Sequence, residues 1–161
     1  MAMKRYTAFF CIALSLLAAA PAAARIPDSA IAMGGISIGS TEAYLRSTYG
    51  KPKSMSRTWY APRKQYVREY NYGDSFFVSI LEGSGTVFRM QSLERHNNIH
   101  TAAGITIGSS LQDVLRSYGY PDLRQIDGES DYYWYFGSGA KGNLVFEISY
   151  GKVKGITCGS K

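Results

Sequence analysis

Three clusters in this sequence hold residue types that do chemistry. Gly137-Ser-Gly-Ala-Lys-Gly142 has the G-x-G-x-x-G spacing of a dinucleotide-binding turn. That chemistry needs the glycines between a strand and a helix, with an acidic residue about 20 positions on to hold a ribose. Here both flanking runs are strand-like and no acidic residue follows Glu147, so the spacing predicts a hairpin loop. Asp127, Glu129 and Asp131 alternate as calcium ligands do, but an EF-hand wants glycine at its sixth position and Tyr132 stands there. They read as a solvated loop. His96 and His100 stand four apart in an Asn-rich connector with no third ligand and no helical pattern, which falls short of a metal site. No G-x-S-x-G element is present and no carboxylate pair stands out for acid–base work. The expectation is no catalytic residue, no metal and no cofactor.

What remains is aromatic. Tyr and Trp number 13 and 2, and they crowd into Asp131-Tyr-Tyr-Trp-Tyr-Phe136. Successive strand residues point to opposite faces, so two neighbouring aromatic sets cannot both be core. With Tyr132, Trp134 and Phe136 inward, Tyr133 and Tyr135 would face away, joined by Trp59 and Tyr60 earlier in the chain. Exposed Tyr on a rigid sheet supplies large contact area at small entropic cost, as protein-binding surfaces do. Ordinary cross-strand pairing on a half-wet sheet is the competing reading.

The elements that position these residues come from a duplication. Gly104-Ile-Thr-Ile-Gly-Ser-Ser-Leu-Gln-Asp-Val-Leu-Arg-Ser-Tyr-Gly-Tyr-Pro121 repeats Gly35-Ile-Ser-Ile-Gly-Ser-Thr-Glu-Ala-Tyr-Leu-Arg-Ser-Thr-Tyr-Gly-Lys-Pro52 without a gap. In the second copy Ser109 or Ser110 caps a helix, and Leu111, Val114, Leu115 and Tyr118 form its apolar face. Gly119 and Pro121 end it. In the first copy Ser40 and Thr41 cap the helix, Leu45 and Tyr49 hold its apolar face, and Gly50 and Pro52 end it, while Glu42 and Arg46 replace Leu111 and Leu115. Short β-branched and aromatic runs punctuated by Gly and Asp follow each helix and predict an antiparallel meander. Phe76, Val78 and Ile80, and then Leu144, Phe146 and Ile148, should face the helices.

The fold expectation is α+β: two tandem repeats, 34–95 and 102–161, each a helical segment on a three- or four-stranded antiparallel sheet, joined by a connector at 96–101. Copies of ~60 residues can hardly form independent cores, so their sheets should abut or share packing. Residues 25–33 read as a loose tail.

The first 24 residues carry Lys4 and Arg5, an apolar run from Ala8 to Ala20, and small residues before Arg25. That is a secretory signal peptide, too short for a transmembrane span. They hold two of the 18 basic residues and none of the 12 acidic ones, which leaves a net charge of +4. A modest excess favours solubility and weak attraction to an anionic envelope surface. Nucleic acid is not an expected partner, since there is no dense Lys/Arg block. Of the two cysteines, Cys11 leaves with the leader, so no internal disulfide can form. Cys158 reads as a small apolar residue ending the last strand, with an intermolecular disulfide as the alternative.

The duplicated stretch, with "Tyr-Tyr-Trp-Tyr-Phe", "Leu-Val-Phe-Glu-Ile" and "Gly-Lys-Val-Lys-Gly-Ile" after its second copy, resembles the small envelope domain of the SmpA/OmlA (BamE-type) lipoproteins. Two such units in one exported chain resemble the β-lactamase inhibitor proteins, whose tandem helix-plus-sheet repeats present a concave, aromatic-rich sheet to their target. The lipidated cysteine of the first family and the intra-repeat disulfides of the second are absent here, so neither target nor inhibitory residues are carried over. The expectation is an exported, periplasmic or secreted, non-catalytic protein-binding module, with inhibition of a secreted or periplasmic enzyme as one form of it. The alternative is a structural or assembly factor of the bacterial cell envelope. A small hydrolase is the third reading, because a fold never excludes a function.

Overall fold

Helices form where the duplicated stretch predicts them. This computed structural model describes residues 25–73, 75–94, 97–139 and 142–160. The expected signal peptide at 1–24, His96 and the Ala140-Lys141 step of the glycine motif lie outside them. Helix α1 spans Glu42–Tyr49 and is capped by Thr41, whose hydroxyl accepts the Tyr44 N–H at 3.2 Å. Helix α2 spans Leu111–Tyr118. Ser110 and Asp113 cap it reciprocally: each side chain accepts the other's backbone N–H at 3.1 Å. Both helices leave through a glycine, Gly50 and Gly119, at φ of 73° and 74°, a conformation that costs a Cβ-bearing residue more.

A short ladder, β1 (Ala32–Met33) with β2 (Ile36–Ser37), precedes α1. Then come β3 (Ser54–Tyr60), β4 (Gln65–Gly73), β5 (Phe76–Leu81) and β6 (Thr86–Leu93). After α2 follow β7 (Leu123–Asp127), β8 (Ser130–Phe136), β9 (Asn143–Ser149) and β10 (Lys152–Gly159). These eight make one antiparallel sheet in the order β3-β4-β5-β6-β10-β9-β8-β7.

The expected pair of helix-on-sheet α+β repeats is therefore corrected. Strand dominates, the two α-helices among the described residues have eight residues each, and the strands of both segments belong to one sheet. The junction is the β6–β10 pair, with Met90 opposite Cys158 and Ser92 opposite Ile156. The physical reason is burial: neither segment alone can cover enough apolar surface, whereas one sheet lets both share a face.

That shared face is read in cross-strand rows. Tyr70, Val78, Met90, Cys158, Leu144 and Tyr135 stand opposite one another across β4-β5-β6-β10-β9-β8, each with 1 % exposure or less. Both helices cover this face. Tyr49 of α1 packs on Phe76, ring centroids 5.3 Å apart, and Tyr118 of α2 packs on Phe146 at the same separation. Phe76, Val78, Ile80, Leu144, Phe146 and Ile148 are all buried beneath them, as their alternation predicts. Cys158 sits in the central row with its thiol pushed up to about 12 by burial. In the folded chain it fills space as an apolar residue and cannot bridge to a second copy.

The weak apolar face of α1 has a polar explanation. Glu42 is half-buried and Arg46 stays exposed beside it, and a polar network replaces the leucines. The Glu42 carboxylate accepts the Tyr70 hydroxyl at 2.6 Å and the Arg46 guanidinium at 2.8 Å, and it pairs with the Arg68 guanidinium at 2.6 Å. Burial alone would raise the Glu42 carboxyl, but these partners together hold it below the ordinary value of 4.5. A depressed carboxylate contributes stability that is full above its unfolded pKa and is lost as pH falls through the lower folded one. Glu42→Gln should thus cost about 1.5–3 kcal/mol at neutral pH. The difference from the parent should shrink below pH 4.5. Urea unfolding across pH would show it, and a pH-independent difference would refute the ionic account.

The tail at 25–33 is not loose. Ile26, Ile31 and Met33 are buried, at 5 %, 0 % and 0 % exposure. Ile26 donates to Phe136 O at 3.1 Å and accepts from Ser138 N at 2.8 Å, a strand-like bridge to the end of β8.

Candidate protein-binding face

Among the described residues, no α-helix covers the second face of the sheet. Its rows run between those of the core. One is Asn71, Phe77, Gln91, Thr157, Val145, Trp134 and Leu123 from β4 to β7. Another is Leu93, Gly155, Glu147, Tyr132 and Gln125 from β6 to β7. Tyr132, Trp134 and Phe136 are half-buried here, with the Trp134 and Phe136 rings 6.5 Å apart. The Trp134 indole N–H meets no acceptor among the described residues. At the other end Tyr60 leans on Phe88, centroids 5.2 Å apart, over Val67 and Leu81.

The expected binding residues are thus sorted differently. Tyr133 and Tyr135, expected outward, lie in the core at 7 % and 1 % exposure. Tyr135 packs against Tyr118 and Phe146 and donates its hydroxyl to Gly119 O at 3.0 Å. The hydroxyl meets the last turn of α2, where helix carbonyls lack partners, and burial, the largest cause, pushes its phenol pKa up. Tyr135 thus supplies both bulk and a donor there, which Phe could not. Arg124, 2.6 Å from Asp131, sits over the Tyr133 ring at 5.7 Å and closes the outer end. Trp59 is 51 % exposed, but on the helix side of the sheet edge, stacked edge-on with Tyr66 at 5.2 Å. Only Tyr60 of the four lies on the helix-free face. Tyr132, Trp134 and Phe136 were missed as surface residues.

The other clusters have structural roles. The glycine motif closes the β8–β9 hairpin, Gly137 N donating to Gly142 O at 2.9 Å. Its small residues make room for the tail: Asp28 accepts the Gly139 N–H at 3.0 Å, and a Cβ at Gly137 or Gly139 would collide with the Asp28 carboxylate. In the acidic loop Asp131 pairs with Arg124 and Glu129 accepts the Tyr150 hydroxyl at 3.2 Å. Among the described residues no three His, Cys, Asp or Glu side chains converge as metal ligands. No helix among them is long and apolar enough to cross a membrane.

No family model and no curated protein matches the chain. Three solved structures show distant likeness. An extracellular SCP-domain protein from Bacillus anthracis is 12% identical with a TM-score of 0.44; the match covers 77% of this chain but only 44% of that one. A DUF4309 family protein from Bacillus subtilis is 11% identical with a TM-score of 0.47, covering 85% and 88%. A candidate β-lactamase inhibitor protein from Streptococcus mutans is 12% identical with a TM-score of 0.31, covering 73% and 81%. All three scores are too low to carry a function across.

Proposed function

We propose that this chain is an exported, non-catalytic module that binds another protein through the helix-free face of its sheet. One observation carries the reading. The described residues leave a broad, rigid β surface uncovered, with half-buried Tyr132, Trp134 and Phe136 at one end and Tyr60 at the other. Large aromatics held by a sheet lose little freedom on binding, and they dominate interface energetics. The leader-like sequence at 1–24 supports export. Inhibition of a secreted or periplasmic enzyme is the specific form that we favour.

The test is affinity capture from envelope extract and culture medium with the tagged parent, with Trp134→Ser/Phe136→Ser, and with Trp59→Ala as a control on the other face. Truncating an interface anchor costs about 2 kcal/mol or more, roughly a thirtyfold loss of affinity. The double variant should lose the captured protein while Trp59→Ala keeps it. Capture that survives the double variant would sink the proposal. A captured protein that fractionates with membrane complexes would favour envelope assembly over inhibition.

A further inference from the structure

The helix-free face holds a notch whose geometry names a ligand group. Gly155 stands between Leu93 on β6 and Glu147 on β9 and leaves a gap in the row. The Glu147 carboxylate leans over that gap: a Cβ built on Gly155 would lie 2.9 Å from its Oε2. Oε1 is already engaged, accepting the Ser130 hydroxyl at 2.8 Å. Oε2 has no hydrogen-bond donor among the described residues. The Tyr132 ring, opposite Glu147 on β8, forms the far wall. Its phenol pKa is raised by burial and by the Glu147 charge, so it stays a neutral ring.

The charge here runs against the chain as a whole. The protein is basic, yet Glu147 lines both the notch, a cavity of about 220 Å³ with Tyr132 and Gly155, and a neighbouring groove of about 550 Å³ where Glu94 and Glu129 face one cation, Lys154. Lys154 forms no ion pair with them. The other half of the same face shows the contrast. Glu69 there has a guanidinium, Arg89, 3.6 Å away. Half-buried Glu147 has no cation paired with it among the described residues.

We propose that this notch receives a basic side chain, arginine or lysine, from the protein that docks on the helix-free face. The inference rests on the binding role proposed above. A guanidinium fits best: it can donate to Oε2 while its plane lies against the Tyr132 ring. A metal ion would need more ligands than one free carboxylate oxygen supplies.

Titration of the full chain as exported with Nα-acetyl-arginine amide, followed by NMR amide shifts, tests this directly. The parent should show saturable shifts at Gly155 and Glu147 that weaken as salt rises. Nα-acetyl-norleucine amide should produce none. Glu147→Gln should weaken binding at least tenfold without lowering the unfolding midpoint. Gly155→Ala, which fills the gap, should do the same, and Ser130→Ala should leave arginine binding in place. Equal shifts with norleucine, unsaturable shifts spread over the surface, or an unchanged Glu147→Gln response would each overturn the notch. The two proposals fail separately. Capture that depends on Trp134 but ignores Glu147→Gln overturns the notch alone, whereas arginine binding in a chain whose capture ignores Trp134→Ser/Phe136→Ser overturns the docking face alone.

Discussion

Tyr135→Ala is expected to unfold this protein more readily than any single change on the helix-free face. The ring is 1 % exposed, sits in the central row opposite Leu144, and packs on Tyr118 and Phe146. Removing a buried large aromatic leaves a cavity that the sheet cannot close, at a cost of about 3–5 kcal/mol. The Gly119 carbonyl also loses its donor. Because domains hold only about 5–15 kcal/mol in all, the variant should lie near the edge of folding. Tyr135→Phe separates the parts: it keeps the packing and should cost only about 1 kcal/mol for the hydrogen bond. Trp134→Ala, one residue away and half-exposed, should shift the urea midpoint far less. Equal midpoints for Tyr135→Ala and Trp134→Ala would show that the parity of β8 is the reverse of that described.

That contrast shows what was legible in the residues and what was not. Local patterns carried through. The caps at Thr41 and Ser110, the glycine exits, and the inward sets around Val78 and Phe146 depend on neighbours within a turn or a strand, and sequence spacing encodes them. The joining of the sheet depends on Met90 meeting Cys158, 68 positions on, and no local pattern announces a pairing of that range. The parity of β8 was not legible either. Hydrophobicity ranks Trp134 and Phe136 above Tyr133 and Tyr135 for burial, yet the buried pair is Tyr133 and Tyr135, with the Tyr135 hydroxyl satisfied by Gly119 O. The aromatics on the helix-free side are therefore Tyr132, Trp134 and Phe136, one residue out of register from the expected Tyr133 and Tyr135.

The tail was hidden differently, and it supports the second large effect. Pro27, Asp28 and Ser29 make the segment look polar, yet the isoleucines on either side are anchors. Ile31 is fully buried and Ile26 nearly so. Ala32 accepts from Ala102 N at 3.2 Å and Gly34 donates to His100 O at 2.8 Å, so the strap also holds the segment leading into the second copy of the repeat. Ile31→Ala should cost about 2–5 kcal/mol. Deleting residues 25–31 should cost more, since it removes two buried side chains, the Ile26 bridge to Phe136 and Ser138, and the Asp28 bond to Gly139 together. Circular dichroism melts of the exported chain and of the trimmed one measure the difference. The strap also bears on the export proposed above. Cleavage after Ala24 would leave Ile26 in place, whereas cleavage past Ile31 would release a chain without its anchors. If the chain is exported as proposed, N-terminal sequencing of the secreted form should find a start at or before Ile26. A trimmed chain that melts like the parent would show that the tail rests on the fold without holding it.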